Sequence, residues 1–114
     1  MADYTKYTNK EMQAITLAQC ITNDNIAIVG TGLPLIGASV AKRLFAPKCN
    51  LIVESGLMDC DPIEVPRSVG DLRFMAHCGC QWPNIRFIGF ETNDWIHNND
   101  RIVAFIGGAQ IDSS

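Results

Sequence analysis

The stretch IAIVGTGLPLIGASVAKRL, Ile26–Leu44, decides how the rest of the chain is read. An apolar run ends in a glycine-rich turn, and the residues beyond it place Leu35, Ile36, Val40 and Leu44 on one predicted helical face. Pro34 suits the first turn of that helix, where a missing N–H costs nothing, and Ala46–Pro47 stops it. A second apolar run, Leu51–Val53, then leads to an acid, Glu54. Strand, glycine turn, helix, strand and acid in that order outline a dinucleotide-binding unit, in which the acid would hold a ribose.

The glycine spacing argues against that outline. The dinucleotide fingerprint is G-x-G-x-x-G, whose third glycine lets helix and strand pack closely. Here the glycines are Gly30, Gly32 and Gly37, so the third comes two residues late. Glu54 lies at a fitting distance, 24 residues after Gly30. The segment beyond it, however, enters a proline-containing loop, where the fingerprint expects a second helix. What remains is a turn that opens a helix and offers backbone N–H groups to anything negative. A carboxylate stands at the end of the next strand, where open α/β sheets bind their ligands. That arrangement suits nucleophilic catalysis on an acyl group. On the residues alone the simpler reading, a solvated strand-end acid beside a tight turn, is favoured over it.

Outward from this unit, TNKE (Thr8–Glu11) forms a capping box. Met12, Ile15, Leu17, Ala18 and Ile21 follow as a helical apolar stripe. TNDN, Thr22–Asn25, is a turn leading into a strand at Ile26–Val29. Ser55–Asp71 reads as a long ordered loop, and Leu72–His77 as a short helix. Ile85–Phe90 and Ile102–Ile106 read as further strands. Unbroken apolar runs of this kind belong to strands covered on both faces. The expected fold is therefore α/β: a three-layer, open, mostly parallel sheet with flanking helices. Residues 1–114 make one domain, and the abrupt ending at a glycine turn, VAFIGGAQIDSS, predicts a fold truncated at its C-terminus.

Composition narrows the function classes. A net charge of −3 gives no electrostatic reason to bind nucleic acid or an anionic membrane. No apolar stretch approaches the ~20 residues that span a bilayer, and the polar N-terminus lacks a secretory apolar region. These features predict a cytoplasmic protein. Five cysteines without a signal read as reduced thiols. HCGC (His77–Cys80) spaces its cysteines more tightly than zinc sites do, so no metal site is assigned. Neither His77 nor His97 has a nucleophile at a triad-like motif spacing. Arg67, Asp71 and Arg73 suggest an ion pair pinning the long loop, with Arg67 facing a substrate carboxylate as the alternative. Asp59 and Asp61 would raise the Glu54 pKa by like-charge repulsion if the loop brought them close.

GTGLPLIGASVAKRL, VESGLMDC, EVPRSVGDLRFMAHCGC and FIGGAQID, taken in order, resemble the β subunits of the family I CoA-transferases. The likeness runs from about residue 2 to Asp112. It implies that Glu54, in VESG, is the nucleophile, and that Ser55 and Gly56 shape the turn presenting it. It implies that Gly30, Thr31 and Gly32 lie beside it, with the Thr31 and Gly32 N–H groups as oxyanion donors, and that Gln110 in GGAQID has a polar positioning role. Coenzyme A is then a substrate and part of a covalent intermediate, with no permanently bound cofactor. The implied partners are an α subunit, an acyl-CoA and a carboxylic acid, the acid being a dicarboxylate such as glutaconate. The β subunits of this family continue past this point into another glycine-rich loop. Alternatives are a different acid (acetate, succinate or a 3-oxoacid), or a truncated, non-catalytic α/β module that binds another chain.

Overall fold

The computed structural model describes residues 3–68, 70–81 and 100–113. Helix α1 spans Asn9–Gln19, strand β1 Ile26–Val29, helix α2 Leu33–Leu44 and strand β2 Asn50–Val53. Then come a two-residue strand β3 (Leu57–Met58), a short helix α3 (Leu72–Met75), a two-residue strand β4 (Cys80–Gln81) and strand β5 (Ile102–Phe105). The predicted strand at Ile85–Phe90 lies outside the described residues.

The main sheet has the order β2-β1-β5 and is parallel throughout, with Val29 in register with both Val53 and Phe105. Side chains alternate across it. Ala27, Val29, Leu51 and Val53 enter a core shared with Ala18 of α1, Ile21 just after it, Leu35, Ala38 and Ala41 of α2, and Phe74 of α3. Ile28 and Ile52 point the other way, into a smaller cluster with Ile26, Met58 and Ile102. This is the parallel α/β sheet with flanking helices that the apolar runs predict.

The capping box forms as expected. The Thr8 N–H donates to Glu11 Oε2 at 2.6 Å, and the Glu11 N–H donates to Thr8 Oγ1 at 3.2 Å. The expected apolar faces are wrong in detail. Met12 and Ile15 of α1 are 44% and 37% exposed, and Ile36 and Leu44 of α2 are 41% and 69% exposed. Of the expected residues Ala18, Ile21 and Leu35 are buried, and the buried positions outside the two stripes are mostly small: Ala14 in α1, with Gly37, Ala38 and Ala41 in α2. The reason is close packing of the two helices. A Cβ on Gly37 would stand 2.8 Å from Leu17 Cδ2 and 3.1 Å from the Ala14 carbonyl oxygen. The late third glycine therefore serves contact between helices, not contact between helix and strand.

The segment Ser55–Asp71 is also more structured than a loop. β3 pairs antiparallel with β4, matching Leu57 with Gln81 and Met58 with Cys80. The chain after β3 runs back along β2: the Cys60 N–H donates to the Leu51 carbonyl at 3.0 Å, and the Asp59 N–H to Asn50 Oδ1 at 3.2 Å. Two cations of α2 brace it. Lys42 Nζ reaches the Cys49 carbonyl at 2.8 Å and Asp59 Oδ1 at 3.6 Å. Arg43 donates to the carbonyls of Pro62, at 3.0 Å, and Ile63.

Candidate active site

Three parallel strands in one register end on one edge, so the residues following each are neighbours there. Gly30 follows Val29, Glu54 follows Val53 and Ile106 follows Phe105, with adjacent strands about 4.8 Å apart. The central strand thus delivers its glycine turn directly beside Glu54. On its other side the Gly30 N–H donates to the Phe105 carbonyl at 3.1 Å, tying the turn to β5.

Glu54 is exposed although Val53, one residue earlier, is fully buried. A tight turn makes that change possible. The Gly56 N–H donates to the Val53 carbonyl at 2.9 Å, so Glu54 and Ser55 occupy the two central positions of a β-turn. Gly56, with φ +88°, carries the left-handed backbone that redirects the chain into β3. Ser55 is half-buried, and Leu57 anchors the far side of the turn in the core. The carboxylate is thereby held outward on a short, well-anchored support.

The facing turn is equally defined. Gly32 caps α2 with φ +92° and ψ −133°, and its carbonyl accepts the first helical bond, from Ile36 N–H at 3.2 Å. It supplies no side chain to the helix terminus, and Pro34 removes one of the N–H groups there. Among the described residues, the Thr31 and Gly32 N–H groups meet no hydrogen-bond acceptor. These donors, at the positive end of a helix beside a carboxylate on the next strand, can receive an oxyanion that develops at the Glu54 edge.

Gln110 is exposed in the segment leaving β5 and, among the described residues, makes no hydrogen bond to Glu54 or to the glycine turn. Asp59 does not approach Glu54: its N–H is bound to Asn50, at the opposite end of β2, and its carboxylate pairs with Lys42. The ion pair expected in PRSVGDLR is present. Arg73 grips Asp71 through Nε at 2.9 Å and Nη2 at 2.7 Å, and reaches Glu64 at 3.1 Å. Asp71 also accepts the backbone N–H groups of Arg73 and Arg67, each at 3.0 Å. The Arg73 side chain, then these two N–H groups, hold the Asp71 carboxyl well below the usual carboxylate range. Arg67 thus enters the network through its backbone, with an exposed side chain. The bracing roles of Lys42 and Arg43 were not legible in sequence. Basic residues in a last helical turn ordinarily signal only the helix dipole.

A family model described as coenzyme A transferase matches residues 10–114. One subunit of the glutaconate CoA-transferase of Acidaminococcus fermentans is 73% identical over 112 residues, which cover 98% of this chain and 42% of that protein. One subunit of the 3-oxoadipate CoA-transferase of Pseudomonas knackmussii is 29% identical over 106 residues, covering 93% of this chain and 39% of that protein. The crystal structure of glutaconate coenzyme A-transferase from A. fermentans superimposes with a TM-score of 0.85 at 72% identity, over 96% of this chain and 42% of that one. The chain therefore spans less than half the length of the relatives it matches. With the family match covering nearly all of its residues, this chain belongs to the coenzyme A transferase family.

Proposed function

We propose that this chain supplies the nucleophilic part of a CoA-transferase active site, with Glu54 as the group that carries coenzyme A. The observation that carries the proposal is the pairing of two turns on one sheet edge: Glu54 is held outward after buried Val53, on the strand next to the one that leads into Gly30, Thr31 and Gly32.

In the proposed reaction a carboxylate oxygen of Glu54 attacks the thioester carbonyl of an acyl-CoA. The C–S bond breaks and CoA thiolate leaves, giving an acyl–glutamyl anhydride. The thiolate then attacks the glutamyl carbonyl and expels the acid, leaving a glutamyl–CoA thioester. A second carboxylate attacks that thioester and releases the thiolate, which takes the new acyl group from the second anhydride and restores Glu54. Each addition passes through a tetrahedral oxyanion, for which Thr31 and Gly32 offer backbone donors. Gly30, Ser55 and Gly56 hold the two turns, and Gln110 is assigned a polar positioning role. Anhydride and thioester are both prone to hydrolysis, so productive transfer requires that water be excluded from this edge.

The acid proposed is a dicarboxylate such as glutaconate, in keeping with the 73% identity to a glutaconate CoA-transferase subunit. Both relatives are single subunits of their enzymes, which supports a separate α subunit as partner. On this reading residues 1–114 are the N-terminal part of a CoA-transferase β-subunit domain. A role in cytoplasmic amino-acid fermentation is consistent with this reading. No helix among the described residues is long and apolar enough to cross a membrane.

The double-displacement scheme has a direct test in the assembled enzyme. With an acyl-CoA and its isotopically labelled free acid, and no second acid, label should pass into the acyl-CoA. Transfer that requires both acids at once would overturn it.

A further inference from the structure

Cys60, Cys78 and Cys80 lie on the antiparallel pairing beyond the Glu54 turn, and the proposed reaction uses none of them. At one end of the pairing Met58 stands opposite Cys80. At the other, the Asp61 N–H donates to the His77 carbonyl at 2.8 Å. Both ends keep one register, which sets Cys60 opposite Cys78. Between them the backbone bends: Asp59 has φ +54°, and the Gly79 N–H reaches the Met58 carbonyl at 2.9 Å.

The hydrogen bonds also define the kind of pair. The Cys60 N–H points away from Cys78, to Leu51 of β2, while the next N–H, that of Asp61, points toward the 77–81 side. That alternation is the mark of a non-hydrogen-bonded antiparallel pair, whose Cα atoms stand about 4.5 Å apart. A disulfide spans Cα separations of roughly 4.4–6.8 Å. The two side chains share a face as well. Cys60 is fully buried in the main core, and half-buried Cys78 packs against the same cluster.

We propose that Cys60 and Cys78 are a thiol pair that a low-molecular-weight disulfide converts into a cross-strand disulfide, a modification site separate from the Glu54 edge. Cys78 is the entry point, because Cys60 is shut off from solvent and burial pushes its thiol up to about 12. The Cys78 thiolate attacks one sulfur of the small disulfide, whose S–S bond breaks and releases one thiolate. Cys60 then loses its proton to water, and its sulfur attacks the Cys78 sulfur, expelling the second small thiolate. The two protein thiols lose two electrons and the small disulfide gains them, becoming two thiols. The product staples the 61–77 segment, with its Asp71–Arg73 pair, across its base.

The test is to treat the intact native protein with oxidised glutathione, alkylate the remaining thiols, digest without reduction and fragment the products by mass spectrometry. The expected result is a Cys60–Cys78 link as the dominant intramolecular cross-link. It should be unchanged in Cys80→Ser, and Cys60→Ser should stop at glutathione on Cys78. Cys78 recovered only as the alkylated or glutathione-bound thiol in the unsubstituted protein would overturn the proposal. So would a link from Cys60 that persists in a Cys78→Ser variant.

Discussion

Glu54 is one residue past a fully buried valine and two before a glycine with φ +88°, and its reach is set by that short support. Glu54→Asp withdraws the carboxylate by one methylene, about the displacement at which positioned reactions lose ~10²-fold. CoA transfer by the assembled enzyme should fall by at least that factor, while the far-ultraviolet circular dichroism spectrum stays unchanged. A spectrum that changes with the activity would instead make Glu54 a structural residue. On the facing turn, Gly32 combines φ +92° with ψ −133°, and a Cβ there would meet nothing within 4 Å. Gly32→Ala therefore acts through the backbone alone, at a cost of about 1–3 kcal/mol. It should lower the melting temperature and the transfer rate together, since the strained residue also presents the N–H groups. Both residues were legible in the sequence, because glycine turns and strand-end acids are local signals. Their side-by-side placement rests on the register of Val29 with Val53, which is a long-range property.

At the scale of elements, what was readable follows local chemistry and what was not follows packing. The Thr8–Glu11 box and the strand at Ile26–Val29 formed as their residues predict. The buried face of α1 did so only in part, at Ala18, because the close helix contact uses Ala14 and Gly37, residues too small to register in a pattern of bulky side chains. Gly37→Ala should thus be destabilising by about 1–3 kcal/mol, as overpacked sites are, and thermal unfolding would measure it. Adding Leu17→Ala should recover only part, since the Ala14 carbonyl oxygen, 3.1 Å from the new Cβ, is backbone and stays. β3 and β4 escaped notice because two-residue strands carry no periodicity and are fixed by pairing across the chain. The Asp71–Arg73 pair leaves a pH signature. A carboxylate held below its ordinary value of 3.8 stabilises the folded state above that value, and the contribution is lost as pH falls toward the folded pKa. Asp71→Asn should lower the melting temperature at neutral pH. Its difference from the parent protein should shrink as pH is lowered below about 4. A difference independent of pH would point to lost hydrogen-bond geometry instead of lost charge.

For the whole molecule, the 114 residues hold one parallel sheet edge with a proposed nucleophile and oxyanion donors, while the relatives are more than twice as long. A transferase site also needs surfaces that bind the acyl-CoA and exclude water, and the proposed α subunit is the natural source of part of them. Transfer should therefore depend on the partner's concentration and saturate at a fixed subunit ratio. Transfer at full rate without the partner would contradict that dependence. The proposed chemistry turns on one event, the covalent attachment of coenzyme A to Glu54. The assembled enzyme should be incubated with acyl-CoA, freed of excess substrate, reduced with borohydride and digested for mass spectrometry. The side chain at Glu54, and no other carboxylate, should be converted to the alcohol expected from a reduced thioester, and omitting acyl-CoA should abolish the change. An unmodified Glu54 with the alcohol at another acid would contradict it.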